Sequence, residues 1–133
     1  MRNIILIMTA IFVINLVGIY FKWYDFFWFD MVLHFSGGLF VALLFSKYLE
    51  RHLFSQTKLA NMLIIIGATM MIGVVWEFGE YFMNQTFSAK ASAAFGMKLD
   101  FIGNLDDTMS DLLMDMLGAI LTAAAFLKLK PKN

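Results

Sequence analysis

The stretch DTMSDLLMDMLGA (107–119) begins an apolar segment that continues to Leu127. Its acidic residues Asp107, Asp111 and Asp115 recur every four positions, so they lie along one stripe of a helix. The residues between and after them are apolar enough for a bilayer-spanning helix, which needs about 20 mostly apolar residues. The stretch therefore predicts a membrane helix that carries three carboxylates on one face.

The composition of the whole chain indicates an integral membrane protein. Of its 133 residues, 61% are hydrophobic and 15% are charged, and the mean hydropathy is +0.75. A soluble domain has about half apolar and about a quarter charged residues. The formal net charge of zero gives no signal for nucleic-acid binding, and the chain has no Cys for disulfides or thiolate chemistry. The length favours a single domain, residues 1–133.

Apolar runs predict an all-α membrane bundle of four transmembrane helices. The predicted helices cover about residues 3–21, 31–48, 59–83 and 107–127. Residues 84–105 are predicted to form a long loop between the third and fourth helices.

The basic residues are divided unevenly between the two sides of such a bundle. One side carries Arg2, Lys47, Arg51, Lys58, Lys128, Lys130 and Lys132. The other side carries Lys22, Lys90 and Lys98. The positive-inside rule therefore predicts that both termini and the connection between the second and third helices are cytoplasmic.

Ionisable side chains converge at the predicted outer ends of three helices. The candidate site residues are Asp30, His34, Glu77, Glu80, Asp107, Asp111 and Asp115. Spacings of three and four residues place the members on each helix on one face. A charge at mid-membrane costs on the order of 3 kcal/mol, and the lysines of the outer loops reach only the rim of this region. The first helix has no acid and is predicted to pack outside the site.

Either protonation of several acids or a bound cation would remove this cost. A divalent metal cation is one candidate. Oxygen ligands suit Mg²⁺, Mn²⁺ or Ca²⁺, and the imidazole is also compatible with Zn²⁺ or Fe²⁺. A proton-binding site and a hydrogen-bonded polar core without a ligand are the alternatives. Small residues beside the acids are expected to let the helices approach closely. They are Gly37, Gly38, Gly73, Gly79, Gly118 and Ala119.

Three motifs in this order resemble those of VanZ-like and related YjdF-type bacterial inner-membrane proteins. FDMVLHFSGG (29–38) resembles their Asp-x-x-x-His-Phe-x-x-Gly motif. WEFGE (76–80) resembles the YjdF-type Trp-Glu-x-x-Glu, where VanZ-like proteins tend to have Glu-x-x-Gln. The stretch at 107–119 resembles their closing Asp-x-x-x-Asp segment, although Asp115 stands where VanZ-like proteins often have Asn.

The resemblance implies a small multi-pass protein of the bacterial cytoplasmic membrane with a role in the cell envelope, since VanZ is associated with resistance to a glycopeptide antibiotic. The resemblance implies that the site residues are those matching the family motifs, which are Asp30, His34, Glu77, Glu80, Asp107 and Asp111.

Three functions remain open at this stage. The favoured hypothesis is a binding or modulating protein whose acidic pocket takes a cation, a cationic ligand or an envelope lipid headgroup. The alternative is a metal-dependent membrane enzyme acting on a lipid-linked or phosphate-bearing substrate, with the metal polarising a phosphoryl oxygen or activating water. A proton or cation conduit is disfavoured, because the inner halves of the predicted helices are apolar. The expected partner is the lipid bilayer, and the sequence indicates no oligomeric state.

Overall fold

The computed structural model describes residues 1–53, 57–96 and 98–129. Its helices are α1 (Arg2–Phe21), α2 (Phe27–Tyr48), α3 (Glu50–Leu53), α4 (Lys58–Phe95) and α5 (Leu105–Leu129), with a short 3-10 turn at Trp23–Asp25. Over these residues the chain is entirely helix and connections. By length and composition α1, α2, α4 and α5 can each cross a membrane. The all-α prediction with four membrane-spanning helices is confirmed.

The helix bounds differ from the prediction in two places. Helix α2 begins at Phe27, so residues 27–30 before the predicted start are already helical. Helix α4 continues past Met83 to Phe95, so the prediction of a loop is wrong for residues 84–95. The polar residues there suggested a loop, but the segment is also rich in Ala, the best helix former.

A stripe of polar side chains on this extension binds the chain that returns along it. Asn84, Ser88 and Ser92 are four residues apart and share one face of α4. The Phe101 N–H donates to Asn84 Oδ1 at 3.0 Å, and the Leu99 N–H donates to Ser92 Oγ at 2.9 Å. The Ser88 hydroxyl donates to the Leu99 carbonyl at 2.5 Å. The polar stripe thus satisfies backbone groups that no regular element pairs.

Helix α4 ends where the chain reverses at Gly96. This glycine has φ 66° and ψ 21°, a left-handed conformation that favours a residue without Cβ. The 38 residues of α4 extend roughly 57 Å at about 1.5 Å per residue, whereas a bilayer core is about 30 Å thick. Part of α4 therefore projects beyond the hydrocarbon, with the returning segment folded against it.

Helices α2 and α5 form the closest pair, because two glycines stand where they meet. A Cβ on Gly38 would lie 2.6 Å from Asp115 Cα, and one on Gly118 would lie 2.7 Å from the Leu39 backbone nitrogen. The obstacles are main-chain atoms in both cases. The expected close approach at small residues is therefore confirmed for this pair.

The other small residues differ in what surrounds them. A Cβ on Gly73 would meet the Asp115 carboxylate at 2.5 Å, so this glycine on α4 leaves room for that side chain. Gly37 has only an ordinary contact, at 3.7 Å from Asp115 Oδ1. A Cβ on Gly79 would meet nothing within 4 Å, so the expectation of close packing is wrong there.

Helix α1 packs against α2 and leaves a cleft beside α4. Gly18 on α1 faces the ring of Phe29 on α2, where a Cβ would come within 2.7 Å of the ring. Edge-to-face ring contacts link α1 to α4, with centroids 6.1 Å apart for Phe12 and Trp76. The space between these contacts forms the cavities described below.

Candidate functional site

His34 lies at the centre of a buried cluster of carboxylates from three helices. Its Nε2 is 3.6 Å from Asp30 Oδ1 on the preceding turn of α2 and 3.9 Å from Glu77 Oε1 on α4. Its Nδ1 is 3.4 Å from Asp115 Oδ2 on α5. His34 is 6% exposed, Glu77 and Asp115 are also buried, and Asp30 is partly buried.

Asp111 completes the cluster from α5. It is 2% exposed and lies one helical turn before Asp115. One ligand atom each of Asp30, His34 and Asp111 lie within 4.8 Å of one another, a spacing at which a metal ion could be held. We call the five residues Asp30, His34, Glu77, Asp111 and Asp115 the His34 cluster.

Several carboxylate oxygens of the His34 cluster are buried without a hydrogen-bond partner in the described structure. They are Asp30 Oδ1, Asp111 Oδ1 and both oxygens of Glu77, whose carboxylate has the Thr108 side chain of α5 as a polar neighbour without a well-formed hydrogen bond. Buried polar atoms are normally paired, so each such atom needs a proton, a water or an ion. Over residues 1–53, 57–96 and 98–129, the ion pairs of these acids are with His34 and not with Lys or Arg.

Local sequence explains how the side chains reach this arrangement. Asp30 and His34 are four residues apart and therefore share a face of α2. The Gly38–Gly118 contact brings the α5 backbone against α2, which places the short side chain of Asp115 beside the imidazole. Gly73 opens the facing surface of α4 for the same carboxylate.

Glu80 and Asp107, also expected in the site, lie outside the His34 cluster. Glu80 Oε1 accepts a hydrogen bond from Trp76 Nε1 at 2.7 Å. Asp107 lies in the first turn of α5, where its backbone N–H donates to Asn104 Oδ1 at 3.1 Å. Both side chains line a cavity together with Asp30. The structure thus divides the predicted set between the His34 cluster and this cavity.

Two cavities occupy the cleft between α1 and α4. The first has a volume of about 320 Å³ and contacts His34 and Asp115 at its polar edge. The second has a volume of about 710 Å³ and reaches Glu80, Asp107 and the returning segment 100–104. Both are lined by Phe12, Asn15, Ile72 and Trp76, so they adjoin each other along α1 and α4. We call the end of the bundle that holds the second cavity the acidic end.

Asn15 on α1 and Tyr24 in the following 3-10 turn form a polar contact that the sequence prediction missed. Asn15 is 8% exposed, lines both cavities, and donates from Nδ2 to Tyr24 Oη at 2.7 Å. Burial, followed by the nearby Asp30 carboxylate, raises the pKa of the Tyr24 phenol, which therefore stays neutral. The expectation that α1 packs outside the site is wrong for the cavities. The available signal was a lone amide in the middle of an otherwise apolar helix.

A known protein family matches almost the whole chain. Residues 2–132 match the family described as "Predicted membrane protein (DUF2238)". The chain belongs to this family. A protein of Thermotoga maritima described as "Uncharacterized protein" is 26% identical over 120 residues. That match covers 88% of this chain, which spans only 57% of the relative's length. No solved structure matches the chain.

The family description agrees with the four membrane-spanning helices and names no function. The likeness to VanZ-like and YjdF-type proteins therefore stays a prediction from the motifs. So does the role in the cell envelope that this likeness implies.

The His34 cluster has more acid groups than one imidazole can neutralise. With all four carboxylates ionised it would carry a net negative charge even around an imidazolium. Such a charge inside a bilayer is expensive, so the cluster requires added protons or a cation. If Nδ1–H donates to Asp115, the Nε2 lone pair faces Asp30 and Glu77. A histidine held this way by a carboxylate is the usual arrangement of an imidazole that binds a metal.

Proposed function

We propose that this membrane protein binds one divalent cation through Asp30, His34, Glu77 and Asp111, and that it acts by binding rather than by turnover. The observation that carries the proposal is the set of buried carboxylate oxygens without partners around His34 Nε2. A dication would occupy these atoms together and offset the charge that the bilayer disfavours.

The spacing of the ligand atoms supports a single ion. Oxygen and imidazole ligands bind such ions at about 2.0–2.6 Å, so two ligands on opposite sides of one ion are roughly 4–5 Å apart. The ligand atoms of Asp30, His34 and Asp111 lie within 4.8 Å of one another, so small side-chain shifts would bring all three into contact with one ion. Glu77 Oε1, 3.9 Å from His34 Nε2, supplies a fourth ligand.

The donor set favours some cations over others. One imidazole among carboxylates suits Mn²⁺ or Zn²⁺ better than Mg²⁺ or Ca²⁺, which prefer oxygen ligands alone. In this arrangement Asp115 orients the His34 ring through Nδ1 and does not itself bind the cation. The proposal thus narrows the seven candidate ligands of the sequence to four.

The motif resemblance and the basic residues suggest where this binding occurs. Both termini would be cytoplasmic by the positive-inside rule. The His34 cluster would then lie under the outer leaflet of a bacterial cytoplasmic membrane. A cation site at that depth fits a binding or modulating role in the cell envelope.

Elemental analysis of the purified protein tests the proposal. Wild type, Asp111→Asn and the control Asp106→Asn are loaded with Mn²⁺ or Zn²⁺, desalted, and analysed for metal per chain. Asp106 is exposed and lies beside Asp107 on the same helix. We expect about one ion in wild type and Asp106→Asn, and at least tenfold weaker binding in Asp111→Asn.

A second measurement separates loss of binding from loss of folding. Circular dichroism and gel filtration confirm that each variant is folded, and the Mn²⁺ electron paramagnetic resonance signal follows binding in solution. Folded wild type that binds no divalent ion at millimolar concentration would contradict the proposal. The cluster would then be neutralised by protons.

A metal-dependent enzyme is the second candidate, favoured by the 710 Å³ cavity that reaches Asp30. A bound metal would supply Lewis-acid activation of a phosphoryl group or of water beside that cavity. No Lys or Arg is among the residues that line either described cavity, so a phosphate would depend on the metal alone. Phosphate release from a long-chain lipid pyrophosphate, present with wild type and absent with Asp111→Asn, would favour this candidate.

A further inference from the structure

The two adjoining cavities of the cleft between α1 and α4 differ in character; we call the cavity of about 320 Å³ the narrower part of the cleft and the cavity of about 710 Å³ the wider part. The narrower part is lined mainly by aliphatic and small residues, among them Met8, Ile11 and Val41. The wider part, at the acidic end, is lined by Asp30, Glu80 and Asp107, and by the half-exposed Asp100, which is paired with Lys98 at 2.7 Å. Apart from the edge formed by His34 and Asp115, the narrower part is therefore mainly apolar, whereas the wider part is anionic.

Aromatic side chains accompany the carboxylates in the wider part. Tyr24, Phe27, Trp76 and Phe101 line it together with the acids. Aromatic faces attract cations, and they bind ammonium groups most strongly where water is excluded. The residues that line the wider part include no Lys or Arg that would attract a phosphate or carboxylate headgroup.

We infer that the cleft binds an amphiphile with a single hydrocarbon chain and an ammonium headgroup. The hydrocarbon chain lies in the narrower part, along α1 and α4. The ammonium group lies between Glu80 and Asp107 at the acidic end. The volumes of about 320 Å³ and 710 Å³ are within the range of small-molecule pockets, roughly 300–1,000 Å³.

This binding site goes beyond the proposed cation site and does not depend on it. Asp30 is the one acid that belongs both to the His34 cluster and to the lining of the wider part. Glu80 and Asp107 are not among the proposed metal ligands. Variants at these two positions therefore test the amphiphile without removing a metal ligand.

Fluorescence quenching provides the experiment. The protein has three Trp residues, so Trp23→Phe with Trp28→Phe leaves Trp76, which lines both parts of the cleft. The probe is a hexadecylammonium with a nitroxide on its chain, titrated into protein in a nonionic detergent. The same labelled chain with a hydroxyl or a carboxylate headgroup is the comparison. We expect the ammonium probe to bind at least tenfold more tightly than the alcohol, and the carboxylate to bind most weakly.

Charge variants test the headgroup. Glu80→Gln keeps an oxygen that can accept from Trp76, and Asp107→Asn keeps the side-chain shape. In the double variant we expect the preference for ammonium over alcohol to fall to threefold or less. The control Asp106→Asn, which removes an exposed neighbouring charge, should keep the full preference.

Two glycines of α4 test the location. Gly79 lines the wider part and Gly67 lines neither cavity, and a Cβ at either position would meet nothing within 4 Å. Gly79→Leu should fill the wider part and weaken binding at least tenfold, whereas Gly67→Leu should leave it unchanged. Equal affinity for the three headgroups, or full binding by Gly79→Leu, would overturn the inference whatever the result for metal.

Discussion

Replacing Gly38 by Ala should separate the two helices that hold the His34 cluster together. The new Cβ would lie 2.6 Å from Asp115 Cα and 2.7 Å from its carbonyl carbon. Two carbon atoms in contact are about 3.5–4.0 Å apart, so the helices must move apart by roughly 1 Å. Neither obstacle is a side chain that could rotate away.

The magnitude follows from two opposing effects. Overpacking of this kind costs about 1–3 kcal/mol, and a clash with main chain belongs at the upper end of that range. The higher helix preference of Ala than of Gly offsets about 1 kcal/mol of this cost. We therefore expect Gly38→Ala to lower the free energy of unfolding by about 2 kcal/mol. It should also weaken cation binding, because the contact between His34 Nδ1 and Asp115 Oδ2 is already 3.4 Å long.

Thermal unfolding in detergent, followed by circular dichroism, measures the first effect, and a Mn²⁺ titration measures the second. Gly67→Ala is the matched control, because its Cβ would meet nothing within 4 Å. The control should gain up to about 1 kcal/mol from helix preference alone. If Gly38→Ala were as stable as Gly67→Ala and bound Mn²⁺ normally, the close α2–α5 contact would not hold the site.

Three further outcomes are expected. Ser92→Ala removes the hydroxyl that accepts from the Leu99 N–H. Because such a bond contributes about 1 kcal/mol, hydrogen exchange of the Leu99 amide should become about fivefold faster. The control Thr86→Ala, an exposed change on the same helix, should leave that rate unchanged. Asp115→Asn should weaken Mn²⁺ binding about 10- to 100-fold while leaving the ion bound by the same residues. If the variant bound Mn²⁺ as tightly as wild type, the proposed role of Asp115 in orienting His34 would be contradicted. A divalent cation at 100 times its Kd should raise the free energy of unfolding by about 2.7 kcal/mol, and folded Asp111→Asn should lose this gain on the same melting assay.

Much of this molecule could be predicted from spacing and hydropathy. Apolar runs indicated the four membrane-spanning helices, and intervals of three and four residues placed acids on common faces. Those intervals concern single helices, so they could not decide which faces meet. Whether Glu77 or Glu80 faces His34 depends on the rotation of α4 in the bundle, and only the structure shows that Glu77 does.

The extension of α4 was beyond sequence reasoning for a different reason. Asn84, Ser88 and Ser92 are polar, and in isolation such residues are as compatible with a surface loop as with a helix. Their partners, the backbone groups of Leu99 and Phe101, are supplied by a chain reversal at Gly96. These tertiary contacts, which hydropathy does not encode, act together with the helix preference of the Ala residues in the segment.

The glycine contact between α2 and α5 also has a consequence for biogenesis. Helix α5 follows α2 and α4 in the chain, so it leaves the ribosome after them. Until it inserts, Asp30 and His34 have no Asp111 or Asp115 beside them. Before α5 inserts, His34 can contact only Asp30 and Glu77, so the Nδ1 side of the imidazole has no carboxylate beside it. Packing of Gly118 against Gly38 is therefore the step of membrane insertion that completes the site.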